Sequence, residues 1–183
     1  DVTKYEDLDP LRWISNPDGT SVQPPSNTPS VRSIFVPTTL SAGEFSAGAG
    51  CTDNRRHLKQ MFRHSLLAPL VVILDPAICL HTPEWLWLST GVRAIDHVVE
   101  DLCSINLQPY VEGTARHALR LLANGLPKSK ENPSDLNARL NCQTGAWMSM
   151  IGGAAGVKKG ASHGIGHMLG GVANVPHGYT SCV

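Results

Sequence analysis

From Thr82 onward the apolar positions fall at steps of three and four residues, the period of helices that bury one face. Thr82, Pro83 and Glu84 supply a capping hydroxyl and a proline suited to a first helical turn. Trp85, Leu88, Val92, Ile95, Val98, Val99 and Leu102 then predict a helix whose core face runs over 89–103. Pro109 opens a second helix, with Val111, Ala115, Ala118, Leu119 and Leu122 inward and a stop at Gly125, Leu126 and Pro127. A third starts at Pro133, Ser134 and Asp135 and carries Leu136, Leu140, Ala146, Trp147 and Met150 toward the small residues 152–156. A fourth covers Ser162 to Gly171, and Pro176 suits the opening of another short one.

The first eighty residues read differently. Residues 1–30 are rich in Pro, Ser, Asn and Asp, with turn signals at Asn16, Pro17, Asp18 and Gly19 and at Pro24 and Pro25. They predict loop with a short helix near 7–13. Residues 31–36 (VRSIFV) predict a strand stopped by Pro37, and 70–74 (LVVIL) a strand buried on both faces. Strands are expected only in this part, so the sheet is incomplete and the rest is a helical domain.

Composition narrows the class. The chain has 183 residues, with 15 Lys plus Arg against 15 Asp plus Glu. No global field favours nucleic acid or an anionic membrane. Cysteines at 51, 79, 103, 142 and 182 are odd in number and lack CxxC spacing, which predicts reduced thiols and a cytoplasmic setting. The apolar run 66–74 contains Pro69 and is too short to span a bilayer. The chain opens at Asp1 without a signal-peptide pattern, which suggests processing or a fragment.

The densest chemistry is the run SHGIGHMLGGVANVPHG, 162–178, which holds His163, His167 and His177 among glycines. His163 and His167, four apart, share a helix face, and converging imidazoles on a glycine-thinned backbone suit a metal or a polar substrate. The bland alternative is tight helix packing, and for His97 alone it is a half-buried polar residue on an amphipathic helix. Pro37, Thr38 and Thr39 follow the first strand, where open α/β sheets bind ligands. No GxGxxG or P-loop occurs.

Taken together, these segments resemble the iron-containing, or group III, alcohol dehydrogenases of the dehydroquinate-synthase-like fold, in particular their maleylacetate reductase-type members. Pro37-Thr38-Thr39 with Glu44 resembles the family's PTT segment. Asp75-Pro76, Thr82-Pro83 and Ser89-Thr90-Gly91 are similar to its crossover into the helical domain. His97-Val98-Val99-Glu100 resembles its His-Ala-(Ile/Val)-Glu, and His163-Gly-Ile-Gly-His167 with Pro176-His177-Gly178 its C-terminal signature.

The resemblance implies a multidomain α/β plus all-α architecture. Residues 1–80 would be the C-terminal remnant of a nucleotide-binding domain, and 81–183 an incomplete helical metal and substrate domain. A Gly-Gly-Gly-Ser pyrophosphate loop would precede Asp1 and several helices would follow Val183. It also implies NAD(H) or NADP(H) as cofactor, a small carbonyl or alcohol as substrate, and a homodimer for the full-length parent. By the same transfer His97, His163 and His177 would be metal ligands. His167 would face the substrate as catalytic proton donor, and Thr38, Thr39 and Lys59 would lie beside the cofactor.

One position departs from that pattern. The aspartate that completes the family's Fe or Zn site falls on Arg93. At about 4 Å and an effective dielectric near 20, a divalent ion would meet roughly 8 kcal/mol of repulsion there instead of attraction. The maleylacetate reductases, which carry Asn at this place, are regarded as working without metal. The expected function is NAD(P)-dependent hydride transfer to a carbonyl, with little activity from this stretch alone. The alternative is an inactive helical scaffold or partner-binding module.

Overall fold

A computed structural model describes residues 3–16, 18, 20–54, 56, 58–173, 175 and 177–182. The side chains at 15, 21, 52, 58, 59, 167, 170–172 and 177 lie outside that description. The chain divides into two compact units. One is Asp1–Phe35 with Glu44–Val71, the other Val36–Gly43 with Val72–Val183.

The first unit is built from short pieces. A 3-10 helix, Tyr5–Leu11, stands near the expected short helix. Three two-stranded ladders pair β1 (Ile14–Ser15) with β2 (Ser21–Val22), β3 (Ile34–Phe35) with β6 (Val71–Val72), and β4 (Gly48–Asp53) with β5 (Leu58–Arg63). The β4–β5 hairpin is antiparallel, with Gly48 opposite Arg63 and Thr52 opposite Lys59. Hydrophobic alternation did not reveal it, because Gly, Ala and Lys are weak strand formers and the ladder is held by polar contacts instead. Asp53, almost fully buried, accepts from Arg56 Nε at 2.5 Å. Arg56 Nη2 also bonds Asp9, and Gln60 donates to Asp9 at 3.1 Å.

The two strands read from the sequence are present but shortened, and the burial expected for 70–74 is not. Leu70, Val71 and Ile73 are 64%, 45% and 48% exposed. A run buried on both faces needs layers above and below it, and the described residues place none over this ladder.

The second unit is helical: α1 (Glu84–Leu102), α2 (Pro109–Glu131), α3 (Leu136–Met148), the single turn α4 (Ile151–Ala154) and α5 (Ala161–Val172). Asp135 caps α3 by accepting from Ala138 N at 2.9 Å. Helix α2 runs through Gly125, Leu126 and Pro127, where the sequence signalled a stop. A proline inside a helix costs about 3 kcal/mol. Tertiary contacts offset it: Leu126 and Ser129 are buried, and Ser129 Oγ accepts from the indole N–H of fully buried Trp87 at 3.0 Å.

The buried faces also differ from the apolar stripes. On α1, Trp85, Val92 and Val99 are exposed, and the inward face is Trp87, Thr90, Gly91, Ala94, His97, Val98 and Asp101. On α3, Leu136, Leu140 and Trp147 face out while Ala138, Cys142, Gly145 and Ala146 face in. Close approach of the backbones explains the choice. A Cβ on Gly125 would meet Cys142 Sγ at 2.6 Å, and one on Gly145 would meet Leu122 Cγ at 2.7 Å. Small residues therefore occupy the seam between α2 and α3, and bulkier ones are pushed to its flanks.

Gly152 on α4 is held by the same logic. A Cβ there would run into the carboxylate of Asp101, whereas one on Gly153 meets nothing. Gly152→Ala is expected to destabilise the fold by about 1–3 kcal/mol. Gly153→Ala should leave it unchanged or stabilise it by about 0.5 kcal/mol. Urea denaturation of the two variants checks this, and equal midpoints would show that Asp101 yields without cost.

Candidate active site

Helix α1 buries four ionisable residues within nine positions: Arg93, His97, Glu100 and Asp101. Leaving such groups without partners is costly, and the hydrogen bonds that Arg93, Glu100 and Asp101 make come from residues 159–181. Lys159 Nζ donates to Asp101 Oδ1 at 2.6 Å and to the carbonyl of His97 at 3.0 Å. Glu100 Oε1 accepts the backbone N–H of Gly160 at 3.2 Å and of His163 at 2.9 Å. Gly160 is the N-cap of α5 and offers no side chain, so a carboxylate from α1 caps α5 instead.

That cap sets the position of His163. Its ring lies 5.7 Å from the His97 ring, tilted by 46°. His163 Nδ1 is 3.8 Å from Glu100 Oε2. Two atoms here, His97 Nδ1 and Glu100 Oε2, are buried and have no hydrogen-bond partner among the described residues. Burial, followed by the positive charges of Lys159 and Arg93, pushes the His97 imidazole down to about 3, so it is neutral at physiological pH.

Arg93 lies one helical turn before His97 and is 4% exposed. Its Nη1 donates to Thr180 Oγ1 at 3.1 Å and Ser181 Oγ at 3.2 Å. Ser181 Oγ donates onward to Asp96 Oδ2 at 2.8 Å, and Ser162 Oγ to Asp96 Oδ1 at 2.7 Å. Asp96 thus ties α1 to the start of α5 and to the residues after the 3-10 turn His177–Tyr179. Burial holds the guanidinium below its ordinary pKa against the pull of Asp96 and Glu100.

The sequence-derived residues are placed as follows. His97 and His163 come together across α1 and α5. His167 is one turn beyond His163 on α5 and His177 opens the 3-10 turn, but both side chains lie outside the described residues. Thr38 and Thr39 belong to the same unit as the helices, on a turn fixed from α1's end. Thr82 Oγ1 donates to the Thr38 carbonyl at 2.6 Å, Leu40 N donates to Thr90 Oγ1 at 3.1 Å, and the Thr39 and Ser41 hydroxyls are 3.0 Å apart. Lys59 sits on β5 in the other unit, its side chain likewise undescribed.

The sequence reading missed Asp96, Lys159, Ser162, Thr180 and Ser181. Asp96 follows Ile95 and precedes His97 on α1, and from that neighbouring position it binds the hydroxyls flanking α5. The serine directly before His163 was the one available hint, as a helix-start hydroxyl that serves another helix's carboxylate.

The described residues do not fit a divalent cation. The place of a carboxylate ligand holds a buried guanidinium anchored by two hydroxyls. A second cation, Lys159, bonds the backbone of His97. The fixed positive charges of Arg93 and Lys159 beside His97 repel a dication.

Comparison with known proteins now adds to this geometry. Residues 87–183 match the Fe-containing alcohol dehydrogenase family, C-terminal. A dehydrogenase from Alternaria alternata, ALT3, is 40% identical, with 82% of this chain and 42% of that protein covered. A crystal structure of maleylacetate reductase from Rhizobium sp. strain MTP-10005 superposes with a TM-score of 0.74 at 31% identity, covering 83% of this chain and 43% of that one. Sulfoacetaldehyde reductase from Bifidobacterium kashiwanohense, solved with NAD+, gives 0.73 at 25% identity over 81% and 39%. The chain therefore spans about two fifths of the length of the relatives it matches. By its signature, its helices and this likeness, the chain belongs to the iron-containing alcohol dehydrogenase family.

Proposed function

We propose that the protein is an NAD(P)-dependent reductase that interconverts a small carbonyl compound and its alcohol. The observation that carries the reading is the meeting of His97 and His163 across α1 and α5 beside the buried Arg93. When bound, a nicotinamide would be the source of hydride for the carbonyl carbon. The residues of the chain provide position, charge and the proton. Thr38 and Thr39 carry hydroxyls on a turn held by Thr82 and Thr90, which suits hydrogen bonding to the cofactor. Lys59 is assigned to the same role from the resemblance. In this division residues 1–80 belong to the nucleotide-binding part and 81–183 to the substrate part. Five free cysteines agree with a cytoplasmic protein, and among the described residues no helix is long and apolar enough to cross a membrane.

The proton is assigned to His167, whose imidazole N–H would pass to the carbonyl oxygen as hydride reaches the carbon. His97 is a poor choice, because its surroundings keep it neutral and cannot recharge it at neutral pH. Arg93 provides the fixed positive charge that stabilises negative charge developing on that oxygen, the role a metal would otherwise take. His163 and His177 are assigned to shaping the same pocket.

Two measurements test this. His167→Ala is expected to lower carbonyl-dependent NAD(P)H oxidation by about 10²–10⁴-fold. A protein that neither binds nor oxidises NAD(P)H would leave the helical scaffold as its role. The second concerns metal. Carbonyl reduction is expected to survive exhaustive chelation, and Arg93→Asp should raise zinc or iron affinity in a direct binding titration. Stoichiometric metal in the unmodified protein, with activity lost to chelator, would sink the metal-free assignment.

A further inference from the structure

Arg93 is only half used. Its Nη1 is held by Thr180 and Ser181, while Nε and Nη2 donate to nothing among the described residues. The nearest acid, Asp96, has both oxygens occupied by serine hydroxyls and reaches the guanidinium only through Ser181. Glu100 has one oxygen bound by two backbone amides, and Asp101 is paired with Lys159. No carboxylate lies within ion-pairing distance of Arg93 among the described residues. A buried cation with a free planar edge, next to the unpartnered Nδ1 of His97, is an incomplete recognition site.

We propose that Arg93 receives the acid group of the substrate, and that the site takes a 2-oxo acid. The carboxylate and the neighbouring carbonyl oxygen of such a molecule lie in one plane and match the free edge of a guanidinium. Arg93 then determines specificity as well as stabilising the developing oxyanion, because it grips the charge that is already present in the ground state. Binding through the fork also orients the carbonyl carbon, which an uncharged aldehyde cannot exploit. Gly166 lets α5 pass close to the anchored side of Arg93: a Cβ there would sit 3.1 Å from Thr180 Oγ1 and 3.8 Å from Arg93 Nη1. The inference rests on the reductase reading for the identity of the reacting group, but its binding step is measurable without turnover.

The test uses oxamate, a non-reducible 2-oxo acid mimic, and oxamide, its uncharged counterpart, titrated into the protein by calorimetry. Oxamate is expected to bind at least about tenfold more tightly. Arg93→Gln should abolish the preference, and Arg93→Lys, which keeps the charge and loses the fork, should retain only part of it. Equal affinity of the unmodified protein for both probes overturns the proposal, and that comparison needs no variant to fold. A preference that survives Arg93→Gln overturns it too. Oxamate selectivity in a protein that never oxidises NAD(P)H would support the anion site and refute the reductase reading. Reduction of simple aldehydes with no oxamate preference would do the reverse.

Discussion

Burying Arg93, His97, Glu100 and Asp101 on one face of a single helix is the constraint from which the rest of the helical unit follows. Each of these groups demands a partner once water is removed. Lys159, the amides that open α5, and the hydroxyls of Thr180 and Ser181 meet part of that demand, and His97 Nδ1 and Glu100 Oε2 stay without a partner among the described residues. Helix α5 has no cap of its own, so its start is fixed by Glu100 rather than by its local sequence. The histidines it carries inherit their position from an electrostatic requirement on another helix.

The other side of α1 is fixed by shape. Trp87 inserts toward α2, with Arg139 stacked 4.7 Å from its ring, and its indole N–H is satisfied by Ser129. Glycines and alanines bring α2 and α3 together closely enough to leave no room for larger side chains. This scaffold is stiff where the site needs it, because packed cores resist small displacements. A 5.7 Å separation between two rings on different helices is reproducible only if both helices are pinned.

Membership in the iron-containing alcohol dehydrogenases and the chemistry of this particular site pull in different directions. The family is named for a metal, but Arg93 is a buried cation with its own hydroxyl anchors, Thr180 and Ser181. A buried positive charge at that position favours an anion over a dication.

The helical character of the chain after Thr82 and the start of α3 at Asp135 were legible in the sequence alone. These depend on local periodicity and capping, which short stretches encode. The sequence also marked His97 and His163, through ordered motifs. It did not determine which faces are buried. Trp85, Val92 and Leu140 read as core and are exposed, while Arg93, Glu100 and Gly145, outside the apolar stripes, are buried. Burial depends on which backbones approach each other, and that is set by small residues far apart in sequence. Pro127 continues a helix for the same reason, since Trp87 and Ser129 meet across 42 residues. The network of Asp96, Ser162 and Ser181 was invisible to spacing, because a hydrogen bond spanning 85 residues exists only after the chain has folded.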